Sequence, residues 1–347
     1  MKLKQPEIKG FTAGKKKSEP SKPTPMMQQY LEVKGRHQDY LLFYRMGDFY
    51  ELFFKDAEVA ATELGIALTK RGKLNDVDIP MCGVPAHSSQ TYLSRLIALG
   101  YKVAVAEQLE NQRSEKSNKY QKIFKRDVVK IITPGTILDD SLLNSKSYNH
   151  LMCISSIKGE ISVSWTDMSI GKIKLQNIKD NSINNLFELI SKIEPEEIVI
   201  SKTLDKILKL DSKMRQFCNK FSKSPDIFFD LNENKLKVDT FFENLSVNAS
   251  ESLTISNRSV IAGLLNYLEL TQKNNLPMIK DFELVREEQF MQIDSFSIRS
   301  LEIFKTLNGE KKNTLLETID KTKTAAGGRM LKDFLKTPLI SKKKITQ

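Results

Sequence analysis

Cysteine is scarce in this chain of 347 residues. Cys82, Cys153 and Cys218 stand far apart and without CxxC spacing, which excludes a disulfide framework and argues against a structural zinc site. Buried thiols are expected instead. Long apolar runs are also missing. No stretch approaches the roughly 18 residues of a spanning helix, and the basic N-terminus has no apolar signal segment. A soluble cytoplasmic protein without a membrane partner is expected. No internal repeat is present.

What is there is a chain long enough for two or three domains, 40% hydrophobic and carrying a formal net charge of +11. The excess charge is gathered in two places. Residues 1–23 hold seven Lys against Glu7 and Glu19. Residues 113–130 hold Arg113, Lys116, Lys119, Lys122, Lys125, Arg126 and Lys130 against Glu115 and Asp127. Two short basic segments on a nearly neutral body suggest contact with a polyanion, although a solubilising tail accounts equally well for residues 1–23. That tail, rich in Lys, Pro, Gly and Ser, is expected to be disordered.

From Thr24 onward the pattern is structured, with Met26, Met27, Tyr30 and Leu31 at helical spacing. Residues 40–46 read as a strand, Gly47-Asp48 as a hairpin turn and 49–54 as the returning strand. Asp56 is placed to cap a helix ending at Gly65, a strand is expected at 66–69, and Ser88 or Ser89 caps a second helix before a strand at 101–106. Strand-rich runs follow at 127–133, 152–157, 161–165 and 170–175, then a helix over 182–193 and a strand over 197–200. From Asn257 the apolar spacing is helical, and no strand signal returns. The fold class is therefore multidomain α/β: a basic tail at 1–23, mixed α/β domains at 24–127 and 128–273, and an all-α region at 274–347 that reads as an unfinished, truncated domain.

Tyr40 to Phe54 holds seven of the chain's 28 aromatic residues. Alternation puts Phe49, Glu51 and Phe53 on one face of the strand and Tyr50, Leu52 and Phe54 on the other. On the residues alone, Phe49 is either an edge-strand aromatic with Glu51 a solvated charge, or a wedge with a carboxylate beside it.

The run Phe43 to Phe53 (FYRMGDFYELF), preceded by Thr24 to Leu31 (TPMMQQYL), resembles the start of the MutS family of DNA mismatch repair proteins. Residues 68–72 (LTKRG), 79–85 (IPMCGVP), 103–108 and 128–136 (VVKIITPGT) are similar to that family in order and spacing, and 294–301 and 313–338 resemble the start of its helical core. The resemblance implies a mismatch-recognition domain, a ribonuclease H-like connector and part of the core and lever helices. It implies that Phe49 stacks on a mispaired base from the minor groove, that Glu51 hydrogen-bonds that base, that Lys70 and Arg71 touch the DNA backbone, and that Met46 packs beside the wedge. Pro80 to Pro85 is expected to be a loop under the wedge. The chain departs from the family at Ala86, where Tyr is usual, and near Ser297 to Ser300.

The resemblance also implies double-stranded DNA as partner, a nucleoid location, and, for a complete family member, a homodimer, the partner MutL and an ATPase using ATP and Mg. No GxxxxGK[ST] phosphate loop occurs in the sequence, and Gly10 to Lys15 (GFTAGK) is one residue short between its glycines. No catalytic, cofactor or metal residue is therefore expected. The connector's resemblance to nucleases makes Asp167 the one candidate metal carboxylate. A non-specific basic DNA binder and a non-functional remnant are the alternatives.

Overall fold

The computed structural model describes residues 23–113, 124–137, 147–245, 253–273, 279–286 and 290–346. The basic tail, apart from residue 23, and most of 113–123 lie outside the described residues. Among those described, no helix is long and apolar enough to cross a membrane.

Helix α1 (Pro25–Arg36) starts where the composition changes: the Thr24 side chain accepts from the Met27 amide, and Pro25 fills the first helical position. Strands β1 (Leu41–Met46) and β2 (Phe49–Phe53) form the expected hairpin. Helix α2 (Phe54–Leu64) ends at Gly65, whose φ of 66° suits a residue without Cβ. Strands β3 (Thr69–Leu74) and β4 (Val77–Pro85), helix α3 (Ser89–Ala98), and strands β5 (Val103–Arg113) and β6 (Phe124–Ile132) complete a mixed sheet of order β3-β4-β2-β1-β5-β6.

Both faces of this sheet are covered, so β1 is apolar without alternation. Phe43, Tyr50 and Leu52 pack under α2 and α3. Leu42, Tyr44 and Phe53 pack on the other face against Met27, Tyr30 and Val33 of α1.

Four local expectations are corrected. Residues 66–68 are not a strand, because the helix cap turns the chain there, with the Ile66 amide donating to Ala61 O at 3.1 Å. Pro80 to Pro85 is not a loop: its prolines and Gly83 lie within β4, which pairs with β2. Asp56 does not cap α2. It is buried, accepting from the Leu42 amide at 2.9 Å and pairing with Lys34 at 2.8 Å, so it ties helix to strand. Neither Ser88 nor Ser89 makes a capping bond to α3; their hydroxyls donate to the carbonyls of Pro85 and Ala86.

The second sheet contains β7 (His150–Ile157), β8 (Glu160–Asp167), β9 (Lys172–Asn177), β10 (Glu197–Ser201), β11 (Phe221–Ser224) and β12 (Asp281–Leu284), in the order β11-β10-β7-β8-β9-β12. Helices α4 (Ile183–Ile193) and α5 (Lys202–Leu208) cover one face, and α6 (Leu231–Asn244) and α7 (Ile255–Gln272) the other. Strand β12 corrects the expectation that no strand follows residue 257; it is four residues long and pairs in parallel with β9.

The two sheets meet at a buried carboxylate. Glu197 of β10, 1% exposed, accepts from the Thr133 hydroxyl, from the Gly135 amide at 3.0 Å, and from the Ser222 and Tyr267 hydroxyls. The Lys102 ammonium lies 3.5 Å away. Beyond the second sheet come α8 (Ser295–Ser300), α9 (Leu315–Ile319), α10 (Ala325–Lys336) and α11 (Lys342–Ile345).

Candidate nucleic-acid interface

The β1–β2 turn is held at Gly47, with φ of 60°, and its last ladder pair is Met46 with Phe49. The strands below it are fixed on both faces. On one, the Tyr50 ring lies 5.9 Å from Phe43 and under the Arg45 guanidinium at 5.2 Å, while its hydroxyl donates to Glu107. Burial, and then the Glu107 carboxylate, push the Tyr50 hydroxyl pKa up, so it stays protonated as that donor. On the other, Tyr30 meets Phe53 and Tyr44 edge-on at 4.8 and 5.4 Å, and Arg126 lies 5.4 Å over Tyr44 while donating to Arg45 O at 2.7 Å.

At the tip this packing stops. Phe49 is 48% exposed, although Phe43, Tyr44 and Phe53 of the same aromatic run are wholly buried. The backbone that carries it is paired to β1 on one side and to Pro85 of β4 on the other. The Ala86 amide donates to Asp48 O at 2.8 Å and closes the turn.

Glu51 lies two residues further on the same face, opposite Gly83. Glycine there leaves the surface beside both side chains open: a Cβ at 83 would lie 3.8 Å from Glu51 Cγ and 4.0 Å from Phe49 Cδ1. The Arg71 guanidinium reaches over from β3 and donates to Glu51 Oε2.

Phe49, Met46, Glu51 and Arg71 are thus brought together. Lys70 is not: it is paired with Asp78 at 2.7 Å on the β3–β4 hairpin. His87 is exposed nearby in sequence but makes no described bond to these residues. The basic segment contributes Phe124 and Lys125, both exposed, from the start of β6. Because β5 runs parallel to β1 and β6 antiparallel to β5, the start of β6 lies toward the same end of the sheet as the Gly47 turn. Sequence patterning missed Arg45 and the Arg71–Glu51 pair, which join residues through ring faces and across strands and so leave no local period.

Asp167 is spent on structure. Its carboxylate accepts from the Asn149 amide at 2.8 Å, the Ser169 amide at 2.9 Å and the Ser169 hydroxyl at 2.6 Å. Among the described residues no three His, Cys, Asp or Glu side chains are grouped so as to hold a metal ion.

Three family profiles match in succession: MutS domain I over residues 24–141, MutS domain II over 149–280 and MutS domain III over 297–347. The chain is 40% identical over 324 residues to a DNA mismatch repair protein MutS of Wolbachia pipientis, covering 93% of this chain and 38% of that protein. It is 40% identical over 322 residues to the protein of that name from Ehrlichia chaffeensis, covering 92% and 39%, and 38% identical over 327 residues to that from Rickettsia typhi, covering 93% and 36%. The chain spans less than two fifths of the length of these curated relatives. It belongs to the MutS family, whose domains I, II and III follow one another along it.

Proposed function

We propose that this chain recognises mispaired or unpaired bases in double-stranded DNA, with Phe49 as an inserted wedge and Glu51 as the carboxylate that hydrogen-bonds the displaced base. What carries this is Phe49: an exposed aromatic ring, next to a carboxylate, on a hairpin braced from both faces. Inserting a wedge costs a few kcal/mol of unstacking, and a mismatched step has already lost part of that energy. Stacking on an aromatic returns about 1–3 kcal/mol per base. Discrimination is then mainly a measure of how easily the duplex deforms, which lets one site serve many mismatches. Glu51 adds to it, because a carboxylate near phosphates is repelled unless a displaced base offers it a donor.

In this proposal Met46 packs beside the wedge, and Lys70 and Arg71 contact the DNA backbone and position the duplex without reading it. Residues 128–273 act as the ribonuclease H-like connector and 274–347 as the beginning of the core and lever. The complete family member works as an ATP- and Mg-dependent homodimer with MutL. The present sequence has no GxxxxGK[ST] loop, so no nucleotide step is assigned to its residues.

The test is equilibrium binding at fixed salt to a duplex with one G·T or unpaired T and to its matched control. A preference for the mismatch that Phe49→Ala abolishes, with matched binding little changed, is the expected result. Equal binding to both duplexes by the unmodified chain would instead favour a non-specific basic binder.

A further inference from the structure

Each cation of the β3–β4 hairpin has a carboxylate beside it, but the pairs differ in kind. Lys70 and Lys73 share Asp78, at 2.7 and 4.0 Å, within the hairpin itself. Arg71 instead crosses β4 to Glu51 of β2, the carboxylate two residues from the exposed Phe49 ring. The Arg71 side chain is 41% exposed and that of Glu51 13%, so whatever approaches this face meets the Arg71 side chain first. A bulge between Lys70 and Lys73, with Gly72 at φ of 73°, shifts the ladder where Arg71 leaves the strand.

A guanidinium holds a carboxylate and a phosphate with the same planar fork, so Arg71 has a second acceptor whenever a duplex lies on this face. An unpaired Glu51 would be repelled by that duplex, which carries one charge per about 1.7 Å of axis. We propose that Arg71 is a positioning residue that masks Glu51. On the DNA-free chain and on paired duplex it neutralises the carboxylate. On a mispaired duplex it transfers to a phosphate and releases Glu51 to the base. This rests on the proposal that Phe49 and Glu51 meet DNA, and it turns Arg71 from a plain backbone contact into part of the discrimination.

The test is a double-variant cycle on the whole chain at low fixed salt, with a matched duplex and one carrying a single unpaired T. Masking predicts that Arg71→Ala weakens matched binding by about tenfold and that adding Glu51→Gln recovers most of the loss, because no charge remains to be unmasked. It also predicts a higher mismatch-to-match ratio in Arg71→Ala, since the pair no longer competes with the base. Arg71→Lys, which keeps the charge, stays near the unmodified matched affinity. An Arg71→Ala loss of the same size with and without Glu51→Gln overturns masking and leaves Arg71 an independent contact. Absence of matched binding in every form also overturns it. Failure of the wedge itself reads differently: a mismatch-to-match ratio of one that Phe49→Ala leaves unchanged, whichever way the Arg71 cycle comes out.

Discussion

Burial holds the His150 imidazole at a pKa of about 4, against an ordinary value of 6.5, with Lys336 and Lys174 adding to the depression; the Ile193 carbonyl and Asp167 pull the other way without cancelling it. The ring is stacked on Tyr148 at 4.9 Å, at the start of β7. The sign follows from where the proton goes. The unfolded chain protonates this histidine below about pH 6.5 while the folded one does not, so its contribution to stability is complete above that pH and is lost as pH falls toward 4. Between about pH 7 and pH 5 the expected loss is about 2 kcal/mol. Urea unfolding at the two pH values checks it, with His150→Gln expected to remove most of the difference.

At the scale of elements, the turn Thr133 to Thr136 shows how a short motif fixes the junction of two sheets. Gly135 is required by closeness: a Cβ there would come within 2.8 Å of both Glu197 Cβ and Leu151 Cδ1. Gly135→Ala must therefore displace Glu197 at its Cβ, turn the Leu151 side chain aside and weaken the Glu197 cluster, a loss of about 1–3 kcal/mol by the usual cost of overpacking. Chemical denaturation of the variant measures it; an unchanged midpoint would mean that the junction is softer than its packing.

The strands on either side of this turn were legible where the physics was local. The runs 152–157, 161–165 and 170–175 are strand-rich in composition, and Gly47-Asp48 announces its hairpin. Strand β4 was hidden because Pro80, Gly83 and Pro85 look like a loop, yet Gly83 and Pro85 lie opposite Glu51 and Phe49 of β2, and Pro80 lies opposite Lys70 of β3. Strand β12 is too short for a period and exists only because β9 offers it an edge. Asp56 looked like a cap because its burial depends on Lys34 and Leu42, 22 and 14 residues away in sequence. In the candidate site, Phe49 and Glu51 were legible from the aromatic run and the family resemblance. The Arg71–Glu51 pair spans 20 residues and reaches across the intervening strand β4, so no sequence window contains its cause.

For the whole molecule, the contrast is between the two sheet domains, each with a dense core, and residues 290–346. There Ile303 is the buried apolar side chain, while Phe296, Leu301, Leu307, Met330 and Phe334 are exposed. What fastens α10 to the second sheet is polar: Tyr148 donates to Asp333 at 2.9 Å, Arg329 lies 5.8 Å over the Tyr148 ring, and Lys332 and Lys336 pair with Glu194 at 3.4 and 3.0 Å. Burial pushes the Glu194 carboxyl upward, but the two ammonium groups outweigh it and hold the pKa at about 2, so the carboxylate stays ionised through the neutral range. Regions with few buried apolar contacts open at lower free energy than the core they rest on. The amides of α10 should therefore exchange with solvent well before those of β7 and β8. Glu194→Gln leaves Lys336, the more buried ammonium, without its carboxylate. Since partly exposed pairs are worth on the order of 1 kcal/mol, exchange in α10 should quicken by about fivefold. Protection in β7 and β8 should stay as it was. Hydrogen exchange resolved by segment reads both at once. Acceleration confined to α10 establishes that this region opens as a unit of its own. Equal acceleration in the sheet would show that Glu194 supports the second domain itself rather than the attachment of the third.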